Sequence, residues 1–146
     1  MMKLLNKKQK CNGGFSLVEL IVVIAIMVVL IAVLAPVFTK YIESSRRSTD
    51  VQNAAQIKTA VETNAIDQKA AGQTPTAGPA DATKANIPPL NDDIKIKGNK
   101  VEASKGKSFV FTYDANSGKC TVYVPDDAAQ HDLTSDAGAE WYKSND

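Results

Sequence analysis

The sequence predicts an α+β protein in which a long N-terminal helix packs on a small antiparallel β-sheet head. Three features predict this class: an uncharged apolar run at residues 20–38, helical apolar spacing that continues to about residue 69, and alternating, strand-like segments between about 94 and 125. A chain of 146 residues has room for one modest domain beside a long anchoring helix. Its formal charge of +1 gives no reason to expect nucleic acid as the main partner.

The apolar run from Leu20 to Phe38 is long enough to cross a membrane as a helix. The lysines before it, with no comparable cluster directly after it, predict a cytoplasmic N-terminus and an external head. An ordinary secretory signal is disfavoured because the run exceeds the usual length of about 7–15 residues. In addition, a cut after Ala35 would leave Pro36 as the first mature residue.

The boundary between the basic leader and the apolar run reads Gly-Gly-Phe-Ser-Leu-Val-Glu over residues 13–19. Two glycines end any helix of the leader and leave an extended backbone that a protease can grip. Glu19 lies at the edge of the hydrocarbon, where a carboxylate is costly and therefore a functional candidate. These residues, with Pro36 late in the apolar run, resemble the processing site of type IV prepilins and related pseudopilins.

This resemblance implies specific roles. A prepilin peptidase would cut between Gly14 and Phe15 and methylate the new amino group of Phe15, and Glu19 would pair with the amino terminus of a neighbouring subunit. An intramolecular contact of Glu19 with its own Phe15 is the alternative. Pro36 would kink the helix. The mid-segment glycine of many family members is missing here, which leaves the extent of helix unwinding open.

The implied protein is a structural pilus subunit that forms a homopolymeric filament for adhesion, motility or DNA uptake. Its implied partners are the prepilin peptidase, an assembly ATPase and a membrane platform protein, and no cofactor or metal is implied. The precursor would wait in the cytoplasmic membrane and then enter a surface pilus. The alternatives are a pseudopilin of a secretion or competence system, and a single-span membrane protein whose ligand-binding head does not polymerise.

The predicted organisation is a leader at 1–14, an apolar helix half at 15–38, an amphipathic half at 39–69 and a head at 70–146. The amphipathic half carries one apolar stripe that we expect to pack under the head: Val51, Ala54, Ile57, Val61 and Ala65. A coiled-coil dimer is disfavoured because no clear heptad is present. Arg46 and Arg47 are interpreted as a solvated pair near the membrane surface, and Gly72 as the helix stop.

The head begins with a loop at 70–93, rich in Ala, Gly, Pro and Thr. Alternating residues predict strands at 94–97 and 100–102, followed by a hairpin whose strands lie at 108–113 and 120–124. Three or four antiparallel strands are therefore expected over the stripe. Trp141 and Tyr142 are candidate apolar anchors for the tail.

Other candidate sites are weaker. Five lysines between residues 95 and 107 could bind DNA, but they are better interpreted as solvated residues of an edge strand. The acidic tail lacks the spacing of an EF-hand calcium loop. Cys120 is expected to be a buried apolar residue, with an intermolecular disulfide as the alternative. His131 is the only histidine, and no catalytic motif is present, so an enzyme is not expected.

Overall fold

A computed structural model describes residues 14–75, 77–85, 87 and 94–144. The chain forms two compact units that divide between Phe38 and Thr39. Predicted leader residues before Gly14, and residues 88–93 of the predicted loop, lie outside the described residues. The element order is α1, β1, a short 3₁₀ helix, β2, β3 and α2. This arrangement confirms the α+β class that the sequence predicts.

The helix α1 spans Leu17–Ala70 and continues through Pro36. The N-terminal unit consists of its apolar part, and the large apolar side chains from Leu17 to Phe38 are all exposed. Within the described residues, α1 is the one helix that is long and apolar enough to cross a membrane. Such a surface is costly in water and favourable in hydrocarbon or against other helices.

The C-terminal unit contains a three-stranded antiparallel sheet in the order β1-β2-β3. The strands are β1 at Ala80–Asp81, β2 at Val110–Asp114 and β3 at Lys119–Tyr123. The register pairs Phe111 with Val122, so the predicted hairpin is confirmed as the pair β2–β3. The turn of the hairpin is stabilised by Asp114, whose carboxylate accepts hydrogen bonds from the backbone of Asn116 and the hydroxyl of Ser117.

The predicted strand at 94–97 is wrong as a regular strand, since this segment forms only an isolated bridge between Lys95 and Ser108. Residues 100–102 are also not a strand, because the chain turns there into a 3₁₀ helix at Glu102–Ser104. The third strand is instead β1, within the segment predicted to be a loop. The side chains of 94–97 still alternate, with Ile96 buried and its lysine neighbours exposed, but the backbone of this segment is bound to α1 and to residues 106–107.

The apolar core of the head joins α1 to the sheet. The predicted stripe is confirmed, with Ala54, Ile57, Val61 and Ala65 buried and Val51 packed against them. Alternate residues of β2 and β3 cover this stripe, together with residues after β3: Phe111, Tyr113, Cys120, Val122, Val124 and Leu133. The helix α2 at Asp136–Lys143 adds Tyr142, which is fully buried. The sequence did not predict α2 as a helix, although Ser135 caps it by accepting a hydrogen bond from the amide of Gly138.

Candidate processing and assembly site

The predicted cleavage point lies directly before α1. Residues 14–16 are outside the helix, and the side chain of Phe15 is 93% exposed. Among the described residues beyond its direct chain neighbours, no atom lies within 4 Å of the position that a Cβ would occupy at Gly14. The chain at the Gly14–Phe15 bond is therefore non-helical and open to another molecule.

The start of α1 is fixed by a capping box that the sequence interpretation missed. The hydroxyl of Ser16 accepts a hydrogen bond from the amide of Val18 at 3.4 Å, and the amide of Ser16 donates to Oε2 of Glu19 at 2.8 Å. The pattern Ser-x-x-Glu was visible in the sequence and indicates such a cap. The cap explains why the helix begins at Leu17, whereas the sequence analysis predicted a start at Phe15.

Glu19 therefore has a partner in its own chain. Its carboxylate contacts the amide of Ser16, one residue after the amino group that cleavage would create on Phe15. The capping bond uses Oε2, and the glutamate is exposed. The carboxylate can accept further hydrogen bonds, because an ionised carboxylate has about four acceptor sites.

A second polar site in the head was also missed by the sequence interpretation. Asp50 is fully buried on the inner face of α1. Its carboxylate accepts hydrogen bonds from the amides of Lys97 at 3.0 Å and Gly98 at 2.6 Å, and from the hydroxyl of Tyr142 at 2.9 Å. One buried carboxylate thus holds together α1, the segment after Ile96 and the helix α2.

Arg47 extends this polar site by one turn of α1. Only 9% of it is exposed, and its guanidinium donates to the carbonyl of Ser144 and, at 2.8 Å, to the side-chain oxygen of Asn99. The interpretation of Arg46 and Arg47 as a solvated pair is therefore wrong for Arg47. Arg46 remains exposed and contacts Glu43 at 3.5 Å. Arg47 and Asp50 precede Ala54 and Ile57 at steps of three and four residues and so lie on the same face of α1. From this spacing their burial could have been predicted.

We call Arg47, Asp50, Gly98 and Tyr142 the polar hub. Burial raises the pKa of Asp50, and the hydrogen bonds from Gly98, Lys97 and Tyr142 oppose that rise. Burial also raises the pKa of the Tyr142 hydroxyl, with the carboxylate of Asp50 as the second cause. A Cβ at Gly98 would lie 2.9 Å from the Tyr142 hydroxyl, so the hub leaves no room for a side chain there. The hub therefore holds the C-terminal tail without a disulfide.

Of the two predicted aromatic anchors of the tail, Tyr142 is buried completely and Trp141 only in part. Trp141 stacks on His131 with ring centroids 3.7 Å apart. The ring of His131 contacts the carboxylate of Asp127 through Nδ1 at 2.8 Å. Lys100 lies over the Trp141 ring at 5.4 Å. The histidine thus contributes to packing of the tail.

The described residues also give the environment of Cys120 and the arrangement of possible metal ligands. Cys120 is a fully buried free cysteine, and burial raises its thiol pKa to about 12. A thiol that is buried and protonated cannot form an intermolecular bridge without opening the head. In the described part of the chain, no group of three or more His, Cys, Asp or Glu residues could hold a metal ion.

Comparison with known proteins gives two kinds of match. Residues 2–130 match a family described as "Domain of unknown function (DUF4330)". The chain is 32% identical over 100 residues to "Prepilin peptidase-dependent protein A" of Clostridium perfringens (strain 13 / Type A), a match that covers 68% of this chain and 66% of that protein.

The chain is also 40% identical over 60 residues to a "Type IV major fimbrial protein FimA" of Dichelobacter nodosus, covering 41% of this chain and 38% of that protein. It therefore spans just under two thirds of the first relative and less than half of the second. No solved structure matches the chain significantly. By the extent of the family match and by these relatives, the chain belongs to the family described as DUF4330 and is a type IV pilin-like protein.

Proposed function

We propose that the chain is a structural subunit of a type IV pilus, made as a membrane precursor, cleaved by a prepilin peptidase and polymerised into a surface filament. The observation that carries this proposal is the geometry at the start of α1. An exposed, non-helical Gly14–Phe15 bond lies just before a capped helix that carries a carboxylate in its first turn and is then uncharged from Leu20 to Phe38. The name of the Clostridium relative, which includes dependence on prepilin peptidase, supports the same function.

The proposed processing step uses the accessibility of this bond. A protease needs an extended backbone, and the capping box of Ser16 and Glu19 ends α1 before the bond is reached. The peptidase would cut after Gly14 and methylate the amino group of Phe15. It would release the lysine-rich leader, which is proposed to hold the N-terminus in the cytoplasm while the head lies outside.

The proposed assembly step uses Glu19. A carboxylate and an amine are each costly in an apolar bundle, and they offset one another when they are brought together. In the filament, Glu19 would exchange its capping bond with Ser16 for the Phe15 amine of a neighbouring subunit, or hold both, since the carboxylate has acceptor capacity left. The apolar helix halves, exposed in the isolated chain, would form the filament core, with Pro36 as a bend point.

Assembly would further require an ATPase and a membrane platform protein, and the filament would serve adhesion, motility or DNA uptake. A pseudopilin of a secretion or competence system is the alternative within the same family. A single-span anchor is the alternative outside it, and that protein would keep its leader.

The test is the N-terminal mass of the protein in material sheared from the surface of its native cells. We expect a chain that begins at methylated Phe15 and is recovered in large assemblies. The variant Glu19→Gln keeps the size of the side chain and removes its charge, and we expect it to be cleaved but to enter filaments poorly. An intact leader found only in membranes would refute the pilus function.

A further inference from the structure

The part of α1 that follows the apolar run in the sequence, together with the segments of the head bound to it, carries exposed basic groups. We define this base as α1 residues 40–50 with the segments 97–100 and 141–144 that are bound to them. Glu43 accepts a hydrogen bond from the amide of Asn99, Asp50 binds Lys97, Gly98 and Tyr142, and Arg47 binds Ser144. The base is therefore a defined part of the head, assembled by contacts within the C-terminal unit.

Few residues separate the base from the apolar run in the sequence. Thr39 follows Phe38, the last residue of the apolar run, directly. At about 1.5 Å per residue, Arg46 lies only about 10 Å along α1 from Thr39. The interfacial layer of a bilayer is about 5–8 Å thick on each side. The base thus begins at the level of the lipid headgroups when residues 20–38 are in the membrane.

The charges of the base favour an anionic surface. Lys40, Lys97 and Lys143 are exposed, and Arg46 has 48% of its side chain exposed. Among the described residues, two acidic groups accompany them: Glu43 is 16% exposed and bound to Arg46 and Asn99, and Glu140 is exposed one turn before Ser144. The carboxylate of Asp50 is buried in the hub. The described residues of the base therefore carry a positive outward charge. The base also contains Tyr41, 72% exposed, an aromatic residue of the kind enriched at membrane interfaces.

We propose that the base docks on the phosphates of anionic phospholipids in the membrane that the precursor spans. The inference rests on the proposed function in one respect, that the precursor waits in a membrane before assembly. Docking would hold the head against the bilayer through charge attraction that acts over about one Debye length, 8–10 Å at physiological salt. The contact would be lost when the subunit is extracted into a filament.

Trp141, the only tryptophan, is a natural probe because it belongs to the base. The full precursor is reconstituted into vesicles of phosphatidylcholine, alone or mixed with phosphatidylglycerol, that contain a phosphatidylcholine with a nitroxide on its headgroup. We expect stronger quenching of Trp141 emission in the vesicles with phosphatidylglycerol, and a return to the phosphatidylcholine value at high salt. Equal quenching in both lipids would overturn the proposal.

The double variant Arg46→Gln/Lys143→Gln tests the surface directly. It removes one exposed lysine and the arginine of an exposed i,i+3 ion pair, and we expect it to lose about half or more of the anionic-lipid effect. The control is Lys84→Gln/Lys119→Gln, which removes the same charge and an equivalent ion pair, that of Lys84 with Asp81, outside the base. An equal loss in both double variants would show a non-specific charge effect and overturn the proposal.

Two further readouts separate the possible failures. Flotation of the precursor with vesicles tests membrane insertion by itself: a chain that does not float refutes the membrane stage of the proposed function. A chain that floats without lipid-dependent quenching refutes only the docking. If the base variant, and not its control, loses binding to a DNA duplex while quenching is unchanged, the basic surface serves nucleic acid and the proposal fails.

Discussion

Replacing Tyr142 with Phe tests the polar hub because it removes one hydroxyl and leaves the buried ring in place. The hydroxyl donates to Oδ2 of Asp50 at 2.9 Å, and both groups are fully buried. A hydrogen bond to a charged group is worth about 1.5–3 kcal/mol. Asp50 keeps the amides of Lys97 and Gly98 as donors, so we expect the lower part of that range, about 1.5–2 kcal/mol, as the loss in the free energy of unfolding.

Asp50→Ala is expected to cost more, about 3 kcal/mol or above, because it leaves three buried donors without their acceptor, at about 1–3 kcal/mol each: the amides of Lys97 and Gly98 and the hydroxyl of Tyr142. Once Asp50 is gone, the hydroxyl has lost its partner. The double variant Asp50→Ala/Tyr142→Phe should therefore cost no more than Asp50→Ala alone. The coupling energy of this double-mutant cycle should be close to the cost of Tyr142→Phe.

The assay is urea unfolding of the full chain in detergent micelles, followed by the emission of Trp141, which belongs to the same helix as Tyr142. Tyr123→Phe is the matched control. Tyr123 is 7% exposed, and its hydroxyl makes no hydrogen bond to any residue that the structure describes, so we expect a change within about 0.5 kcal/mol. The reasoning is refuted if Tyr142→Phe behaves like Tyr123→Phe, or if the two hub substitutions are additive.

Three further predictions use the same unfolding assay. Ile57→Ala should cost about 2–5 kcal/mol because Ile57 is fully buried, whereas Ile66→Ala, at a residue 66% exposed, should stay within about 0.5 kcal/mol; equal costs would contradict the placement of the core. Gly138→Ala should cost more than about 3 kcal/mol, since its Cβ would overlap the backbone carbonyl oxygen of Asp132, and a stable variant would contradict that packing. The ion pair with Lys107 lowers the pKa of Asp126, so its contribution to stability is fully present above pH 3.8 and is lost as the pH falls through the lowered pKa. The difference in stability between Lys107→Gln and the wild type should therefore be largest at about pH 7 and shrink as the pH falls below 3.8, and a constant difference would contradict this linkage.

The sequence predicted those features of the fold that periodicity controls. The stripe of α1 and the hairpin β2–β3 both follow from regular apolar spacing, and both are confirmed. The segment 94–97 shows the limit of this reasoning. Its alternation correctly predicts that Ile96 is buried, but the amide of Lys97 binds a carboxylate of α1 in place of a neighbouring strand. Side-chain alternation reports which face is buried and does not report the partner of the backbone.

The polar contacts were harder to predict from the sequence. The capping box of Ser16 and Glu19 is local, so its pattern could have been found by inspection. The hub is different, because Asp50 and Tyr142 are 92 residues apart and no local pattern joins them. A buried carboxylate is also contrary to the average behaviour of aspartate, which is mostly exposed. The roles of Gly14, Phe15 and Glu19 in processing and assembly stay predictions.

The polar hub also has an energetic consequence for how α1 packs. Three of the seven buried residues of α1 are alanines, at positions 54, 60 and 65, and a one-turn shift of the helix changes the packing of such small side chains less than that of Ile57 or Val61. A shift of one turn, about 5.4 Å, would separate Asp50 from all of its donors. We therefore infer that the hub stabilises one register of α1 against the head, as buried polar groups do in some coiled coils.

Asp50→Asn tests this inference because it keeps the size of the side chain but removes its charge and one acceptor oxygen. With the remaining oxygen in the place of Oδ2, bound to Gly98 and Tyr142, an NH2 group would face the amide of Lys97 in place of Oδ1. We expect unchanged helix content by far-UV circular dichroism and a weaker near-UV signal from Trp141, because the tail would lose its single packing arrangement. An unchanged near-UV signal would show that apolar packing alone sets the register. In that case the buried charge of Asp50 would contribute stability to the tail without specifying where α1 lies.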